Sequence, residues 1–379
     1  MRPDNACSGV CSRYTIGHCS VSFHFSKTKI KCIGVFTLKK VICVILSLIL
    51  TASLLVGCGA SSAPAATTAA TPETQAPETQ AAAASYSVAI VQQLDHSSLD
   101  EIRTAVAAEL KAKADAAGIE LTVSEYNGQN DPTMLGQIGA QVMGDEVDMI
   151  IPIATLAAQT MVTAAEGTDT PIVYAAISDP VSAGLTGLDK VTGTSDALNT
   201  AFILDMMLAA NPDVKTVGLL YSNSEANSTM PIAEAKAYLD SKGIAYLEKT
   251  GNSTDEIIAA TNSLVGRVEA VFTPTDNVVM AAEVAVAEIL NGAGIPHYTG
   301  ADSFVQAGGF ATCGVNYTEL GTYTADMAFD ILQGGAVPEF HVMDGGIITV
   351  NTDTAKALGI DYSVFSSMAN TVVEVTTAE

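Results

Sequence analysis

The sequence predicts an α/β protein with two doubly wound parallel-sheet lobes joined by a hinge, preceded by a signal peptide and a disordered tether. Three observations carry that prediction. Of 379 residues, 48% are apolar and 15% charged, enough to bury two cores. From residue 86 onward, short β-branched runs alternate with Ala-rich amphipathic stretches, the order that produces parallel sheets covered by helices. The alternation runs through two successive series, one per lobe.

At the amino end, Lys39 and Lys40 precede an apolar run over 41–56 that closes on Leu55-Val56-Gly57-Cys58, the order of charge, apolar run and small residue found in secretory signals. The run is shorter than the ~20 residues a bilayer span needs. Its last four residues resemble the bacterial lipobox, which implies that the Cys58 thiol receives a diacylglycerol and that cleavage makes Cys58 the new amino terminus. Residues 1–38 are Cys-rich, slightly basic and without periodicity. They are expected to be an upstream extension from a start site placed too early, with Val35 or Leu38 as alternative initiators, so that 1–57 comprises extension and signal peptide. The stretch 58–85 is the lipidated Cys and its linker, rich in Ala, Thr, Pro, Glu and Gln and echoing Pro72-Glu73-Thr74-Gln75 as Pro77-Glu78-Thr79-Gln80. Such a composition makes a flexible tether.

The body begins with a strand over 86–91. Ser98-Leu99-Asp100-Glu101 predicts a capping box, opening a helix with Leu99, Ile102, Val106 and Leu110 on one face and Gly118 as its stop. A strand over 119–126 follows, then a helix from Asp131-Pro132 to Gly144. A strand over 147–151, a helix over 155–165 and strands over 171–175 and 191–194 complete the first series. After a helix over 198–210, strands are predicted at 216–221, 244–248, 270–272, 296–298 and 310–315. Helices follow Asn227, Thr254 and Asp276, the last running through Leu290. The tail offers a helix over 317–334 and strands over 340–343 and 347–351, too little for a third domain but enough to return to both sheets. Two doubly wound units bring the ends of their sheets together, and the cleft between them is the default ligand site.

Composition narrows the function. Residues 58–379 carry 10 basic and 40 acidic groups, which excludes a nucleic-acid backbone or an anionic lipid surface as partner. After Cys58 only Cys313 remains, so the body has no pair for a disulfide and no cluster for zinc. His96, His297 and His341 are widely spaced and fit isolated positions better than a metal trio. No nucleophile elbow, Walker loop, dinucleotide fingerprint or His-Glu-x-x-His pair occurs, and no enzyme activity, metal or cofactor is expected.

Five phrases then resemble one family. They are Ser178-Asp179-Pro180-Val181 with Gly184, Thr192-Gly193-Thr194-Ser195, Val217-Gly218-Leu219-Leu220-Tyr221, Glu225-Ala226-Asn227-Ser228 and Pro274-Thr275-Asp276-Asn277. Their order and spacing over about residues 86–355 are similar to ABC-transporter substrate-binding lipoproteins that include tryptophan-, tyrosine- and phenylalanine-binding members. The resemblance implies a type I periplasmic-binding-protein fold whose lobes are joined by three crossovers, near 196–201, 315–317 and 333–337. Lobe 1 is then 86–197 plus 316–336, and lobe 2 is 198–315 plus 337–379. It also implies a monomer that delivers a small solute to an ABC permease and its ATPase, held at the outer face of the cell membrane by its lipid alone. Relatives tend to have His-Pro in the first loop, where this chain has His96-Ser97.

Loops at the carboxyl ends of the strands should line the cleft: 92–96, 126–131, 155, 176–180, 194–196, 221–228, 273–277, 299–303 and 316. None contains Lys or Arg, which disfavours phosphate, sulfate and dicarboxylates. Asp95, Asp179, Asp196, Glu225, Asp276 and Asp302 favour a cation or zwitterion, and an α-amino acid, above all an aromatic one, meets that demand. Its carboxylate can sit on free N–H groups at a helix start with hydroxyls from Thr155 and Ser178. Its ammonium wants Asp276 or Asp302, aided by Asn316, and an aromatic side chain can be covered by Tyr221, Tyr126 and Phe304. Gln92, Asp179 and Asn227 complete the candidate ligand set. Each has a plainer alternative: Asp276 as a helix cap, Asp179 as a turn residue, Tyr221 as core, Asn227-Ser228 as a cap. A ligand-sensing lipoprotein or a sugar- or nucleoside-binding protein of the same fold are the alternative functions.

Overall fold

The structure, a computed structural model, describes residues 84–378; the signal peptide, Cys58 and nearly all of the tether lie outside the described residues. In lobe 1, β1 (Ser85–Gln92), α1 (Ser97–Ala117), β2 (Glu120–Asn127), α2 (Pro132–Gly144), β3 (Met149–Ile153), α3 (Thr155–Ala164), β4 (Ile172–Tyr174) and β5 (Val191–Ser195) follow in order. The chain then enters lobe 2 through α4 (Thr200–Ala210), β6 (Thr216–Tyr221), α5 (Thr229–Lys242), β7 (Ala245–Thr250), α6 (Thr254–Leu264) and β8 (Ala270–Thr273). It continues through α7 (Asn277–Met280), α8 (Glu283–Gly292), β9 (His297–Thr299), α9 (Asp302–Gln306) and β10 (Ala311–Gly314). It returns to lobe 1 for α10 (Tyr317–Leu332) and β11 (His341–Val342), and ends in lobe 2 with β12 (Ile347–Asn351), α11 (Thr352–Leu358) and β13 (Thr371–Val375).

The first sheet has the order β11-β5-β4-β3-β1-β2 and is parallel throughout. The second, β13-β12-β10-β9-β8-β6-β7, is parallel except where β12 runs against β10. Strands covered by helices on both faces have no polar side to show, which is why β3, β4, β8 and β9 are buried end to end. Val88, Ile90, Ile102, Val106 and Ile151 fill the core under α1, and Leu219, Phe272, Tyr298, Phe310 and Phe365 fill that of lobe 2. α10 packs along α1, and Gly321 permits the approach: a Cβ there would lie 2.7 Å from the Ile102 carbonyl oxygen.

Four expectations need correction. The capping box does not form: α1 starts two residues earlier, with His96 as an N-cap that makes no side-chain cap bond, and Ser98 lies inside the helix. Glu101 instead accepts from the Thr318 backbone N–H at 2.9 Å. The helix expected over 276–290 is two, α7 and α8, with Ala281 and Ala282 between them. The third crossing falls at 343–346, not at 333–337, because the two-residue β11 pairs with β5 and keeps the chain in lobe 1 until Val342. Beyond Asn351, α11 and β13 add two elements outside the predicted set.

Candidate functional site

The carboxyl ends of both sheets meet at a narrow cavity of about 30 Å³. Lobe 1 supplies His96, Ser98, Leu99, Ala154, Thr155, Ala176 and Ser178, lobe 2 supplies Asn227, Thr275, Asp276, Asn277, Met280, Ala301 and Phe304, and the crossovers supply Asp196 and Tyr317.

The lobes touch across it. Gln93 Nε2 donates to Glu225 Oε1 at 3.1 Å, and Ser98 Oγ to Asp302 Oδ1 at 2.8 Å. Ser178 Oγ donates to Asp196 Oδ1 at 3.0 Å, which leaves it to accept from Thr275 Oγ1 at 2.8 Å. Asp196 Oδ2 accepts from the Tyr317 hydroxyl at 3.4 Å, tying the first crossing to the second. The arrangement is a closed cleft with its hinge built into the wall.

One end is polar and acidic. Asp196 is 7% exposed; burial raises its carboxyl above the ordinary range against the opposing bonds from Ser178 and Tyr317. Asp276 is likewise raised by burial, although Ser228 Oγ donates to it at 2.6 Å, the Ser222 N–H at 2.7 Å and the Val279 N–H at 3.0 Å. Asn227 Nδ2 donates to the Thr275 carbonyl, while its Oδ1 is buried without a partner. No Lys or Arg lines the cavity. At the other end Leu99, Met280, Ala301 and Phe304 form an apolar wall.

The backbone is strained at the same place. Ala154 (φ 74°) and Ala176 (φ 56°) follow the neighbouring strands β3 and β4, and both line the cavity. A non-glycine residue at positive φ without a polar side chain is costly and persists where the surroundings over-determine it, as at binding sites. Ala154 is also the N-cap of α3 and offers no side-chain acceptor; Gln93 supplies one from outside the helix, its Oε1 accepting from the Leu156 N–H at 3.0 Å.

Of the predicted site residues, Thr155, Ser178, Asn227 and Asp276 come together in the cavity, as does Phe304. Gln92 does not: its amide donates to the Leu94 carbonyl at 2.7 Å and to Asp100 at 2.8 Å, and accepts from Arg103, organising the first turn of α1. Asp179 accepts from the Ser182 N–H in a turn, and Asn316 caps α10 through the Glu319 N–H. Tyr221 donates to Glu248 at the lobe 2 surface, and Tyr126 reaches Asp145 at 3.4 Å. Asp302 latches Ser98 at the rim rather than facing the cavity. His96 falls in the 92–96 loop expected to line the cleft; unforeseen were Tyr317, Leu99 and Met280. The three histidines stand apart: His297 is buried between Glu283 (2.9 Å) and Thr273 (2.8 Å), and His341 stacks on Tyr323. Among the described residues no group of His, Cys, Asp or Glu could hold a metal ion, and no helix is long and apolar enough to cross a membrane.

The Gln93–Glu225 latch has a pH signature. Burial and then the Asp276 charge push the Glu225 carboxyl well above its usual range. A folded-state pKa raised above the unfolded one adds stability that is full below the unfolded value and is lost as pH rises through the raised value. Glu225→Gln should therefore raise the melting temperature relative to the natural protein at about pH 8, with the gap closing near pH 4, where Glu225 is protonated in both states. Calorimetry at both pH values checks this, and an equal gap at both would exclude it.

Sequence and structure comparisons agree with this geometry. A family model described as ABC transporter substrate binding protein matches residues 87–372. A tyrosine-binding protein of Clostridioides difficile is 31% identical over 278 residues, covering 72% of this chain and 80% of the relative. A Streptococcus pneumonia ABC domain in complex with L-Trp superposes with a TM-score of 0.70 at 28% identity, covering 76% of this chain and 100% of that one. The ligand-free, open structure of a Clostridium difficile substrate binding protein gives 0.59 at 31% identity, covering 77% and 100%. With the match spanning both lobes, the chain belongs to the ABC transporter substrate binding protein family.

Proposed function

We propose that the cavity captures an aromatic α-amino acid. The family binds small solutes outside the cytoplasmic membrane and works with an ABC permease; the choice of solute rests on one observation. The cavity between the lobes is lined by a buried carboxylate, Asp196, by no Lys or Arg, and by the apolar side chains of Leu99, Met280 and Phe304. A ligand ammonium completes the acidic end, donating to Asp196 and to the unpartnered Asn227 Oδ1. The ligand carboxylate takes the amino end of α3 at Thr155, beside the Leu156 N–H that Gln93 engages, and the Thr155 hydroxyl. An aromatic ring fills the space against Phe304, Leu99 and Met280. The relatives described as tyrosine-binding and as bound to L-Trp support this reading.

The mechanism is capture without chemistry. A ligand that touches both lobes has differential affinity for the closed form and shifts the population toward it. Bending at the crossings 196–199, 315–316 and 343–346 opens the cleft. The closed monomer then presents the lobe rims to its permease. Thermal-shift screening of the twenty amino acids beside sugars and nucleosides tests the assignment. A melting-temperature rise confined to aromatic amino acids is expected; a rise with a sugar and none with aromatic amino acids at millimolar concentration refutes it. The chain lacks Trp, so bound tryptophan reports itself in fluorescence on a tyrosine-only background.

The lipobox resemblance supports a diacylglyceryl anchor on Cys58, followed by the tether. Radiolabelled palmitate should enter the natural protein expressed in a bacterial host and not Cys58→Ala; equal labelling of both refutes the anchor.

A further inference from the structure

His96 lines the cavity together with Leu99 and Phe304. Its backbone is fixed, because its carbonyl accepts the first helical bond of α1 from the Asp100 N–H at 2.9 Å. Its ring has the Asn277 side chain as neighbour, and Asn277 in turn donates to Glu225 Oε2 at 2.8 Å. The Nδ1 atom is buried with no hydrogen-bond partner. Burial outweighs the opposing pull of the Asn277 side chain and then of Asp100 and lowers the imidazole pKa to about 4, so the ring is neutral and Nδ1 is either a bare acceptor or a single donor. An orphaned polar atom costs free energy in the closed form unless something completes it.

We propose that His96 Nδ1 reads a hydroxyl on the ring of the bound amino acid, so that the site selects a phenolic side chain over a plain phenyl one. The inference rests on the aromatic amino-acid reading and adds the residue that discriminates within that class. A phenol both donates and accepts, and it satisfies Nδ1 in either tautomer. A phenyl ring can do neither and leaves the nitrogen orphaned. Sites that pair a buried polar group with a ligand hydroxyl reject the analogue lacking it far more strongly than apolar pockets sort by size.

Isothermal titration of the natural protein with L-tyrosine and L-phenylalanine, repeated with His96→Leu, tests this. L-Tyrosine should bind the natural protein at least about tenfold more tightly, and His96→Leu should bring the ratio to within about threefold. The ratio is the diagnostic, because a merely structural role for His96 would weaken both ligands together. A ratio within about threefold in the natural protein overturns the proposal while leaving the amino-acid reading intact, and so does a tenfold ratio that survives in His96→Leu. Binding of neither amino acid at millimolar concentration overturns the amino-acid reading and this proposal with it.

Discussion

Asp196→Asn is expected to weaken amino-acid binding at least about thirtyfold without lowering the stability of the ligand-free protein. Removing one partner of a buried charge pair costs ~2–5 kcal/mol, and each ~1.4 kcal/mol is a factor of ten in affinity. Asp196 accepts only from Ser178 and Tyr317, so it has lone pairs left for a ligand ammonium, whereas Asp276 is engaged by Ser222, Ser228 and Val279. The second half of the expectation follows from the empty site. Burial raises the Asp196 carboxyl, so its charged form is a burden until an ammonium arrives. A neutral amide of the same shape removes that burden, and the ligand-free melting temperature should hold or rise above pH 7. Titration calorimetry and thermal melts on the same preparation separate the effects. An Asn variant that binds within threefold of the natural protein would place the ammonium elsewhere.

Gly193→Ala should fail at an earlier stage, in folding. Gly193 pairs with Tyr174 across β4 and β5, and a Cβ on it would lie 2.0 Å from the Tyr174 carbonyl oxygen and 2.4 Å from its ring. Tyr174 is fully buried, so neither ring nor backbone can retreat without parting the two strands. The expected cost is at least ~3 kcal/mol, a drop in melting temperature of about 6–12 °C. Because β5 runs directly into Ser195 and Asp196, whatever folds should also bind poorly. Gly193→Ala melting within about 2 °C of the natural protein would show that the sheet absorbs the methyl group, contrary to this packing.

The two residues illustrate what was legible in the sequence. Apolar runs and helix punctuation specified most strands and helices to within a few residues, because buried parallel strands admit no polar face and Asp131-Pro132, Gly118 and Gly243 sit where helices must start or stop. Topology then located the site, since every doubly wound sheet directs its carboxyl ends to the ligand, and the absence of basic residues in those loops held for the cavity lining. Single positions were harder. Gln92 and Gln93 differ by one residue at a strand end, where consecutive side chains point to opposite sides; Gln92 turned to brace α1 and Gln93 became the inter-lobe latch. Asp302 and Asp276 read as equivalent carboxylates, and only tertiary neighbours gave one to Ser98 and the other to a helix cap. Tyr317 looked like the start of a hinge helix, which it is, and its hydroxyl reaches Asp196 only because α10 docks on lobe 1. The two-residue β11 falls within the strand expected over 340–343, whereas β13 is a β-branched edge strand with no buried residue, so no core-facing period marks it.

The crystal structure of the protein grown with an aromatic amino acid tests the central claim most directly. The account predicts the ligand enclosed between the lobes, its ammonium within hydrogen-bond distance of the Asp196 carboxylate and its ring against Phe304. A ligand with its carboxylate turned toward Asp196, or one bound outside a cleft that stays empty, would contradict it.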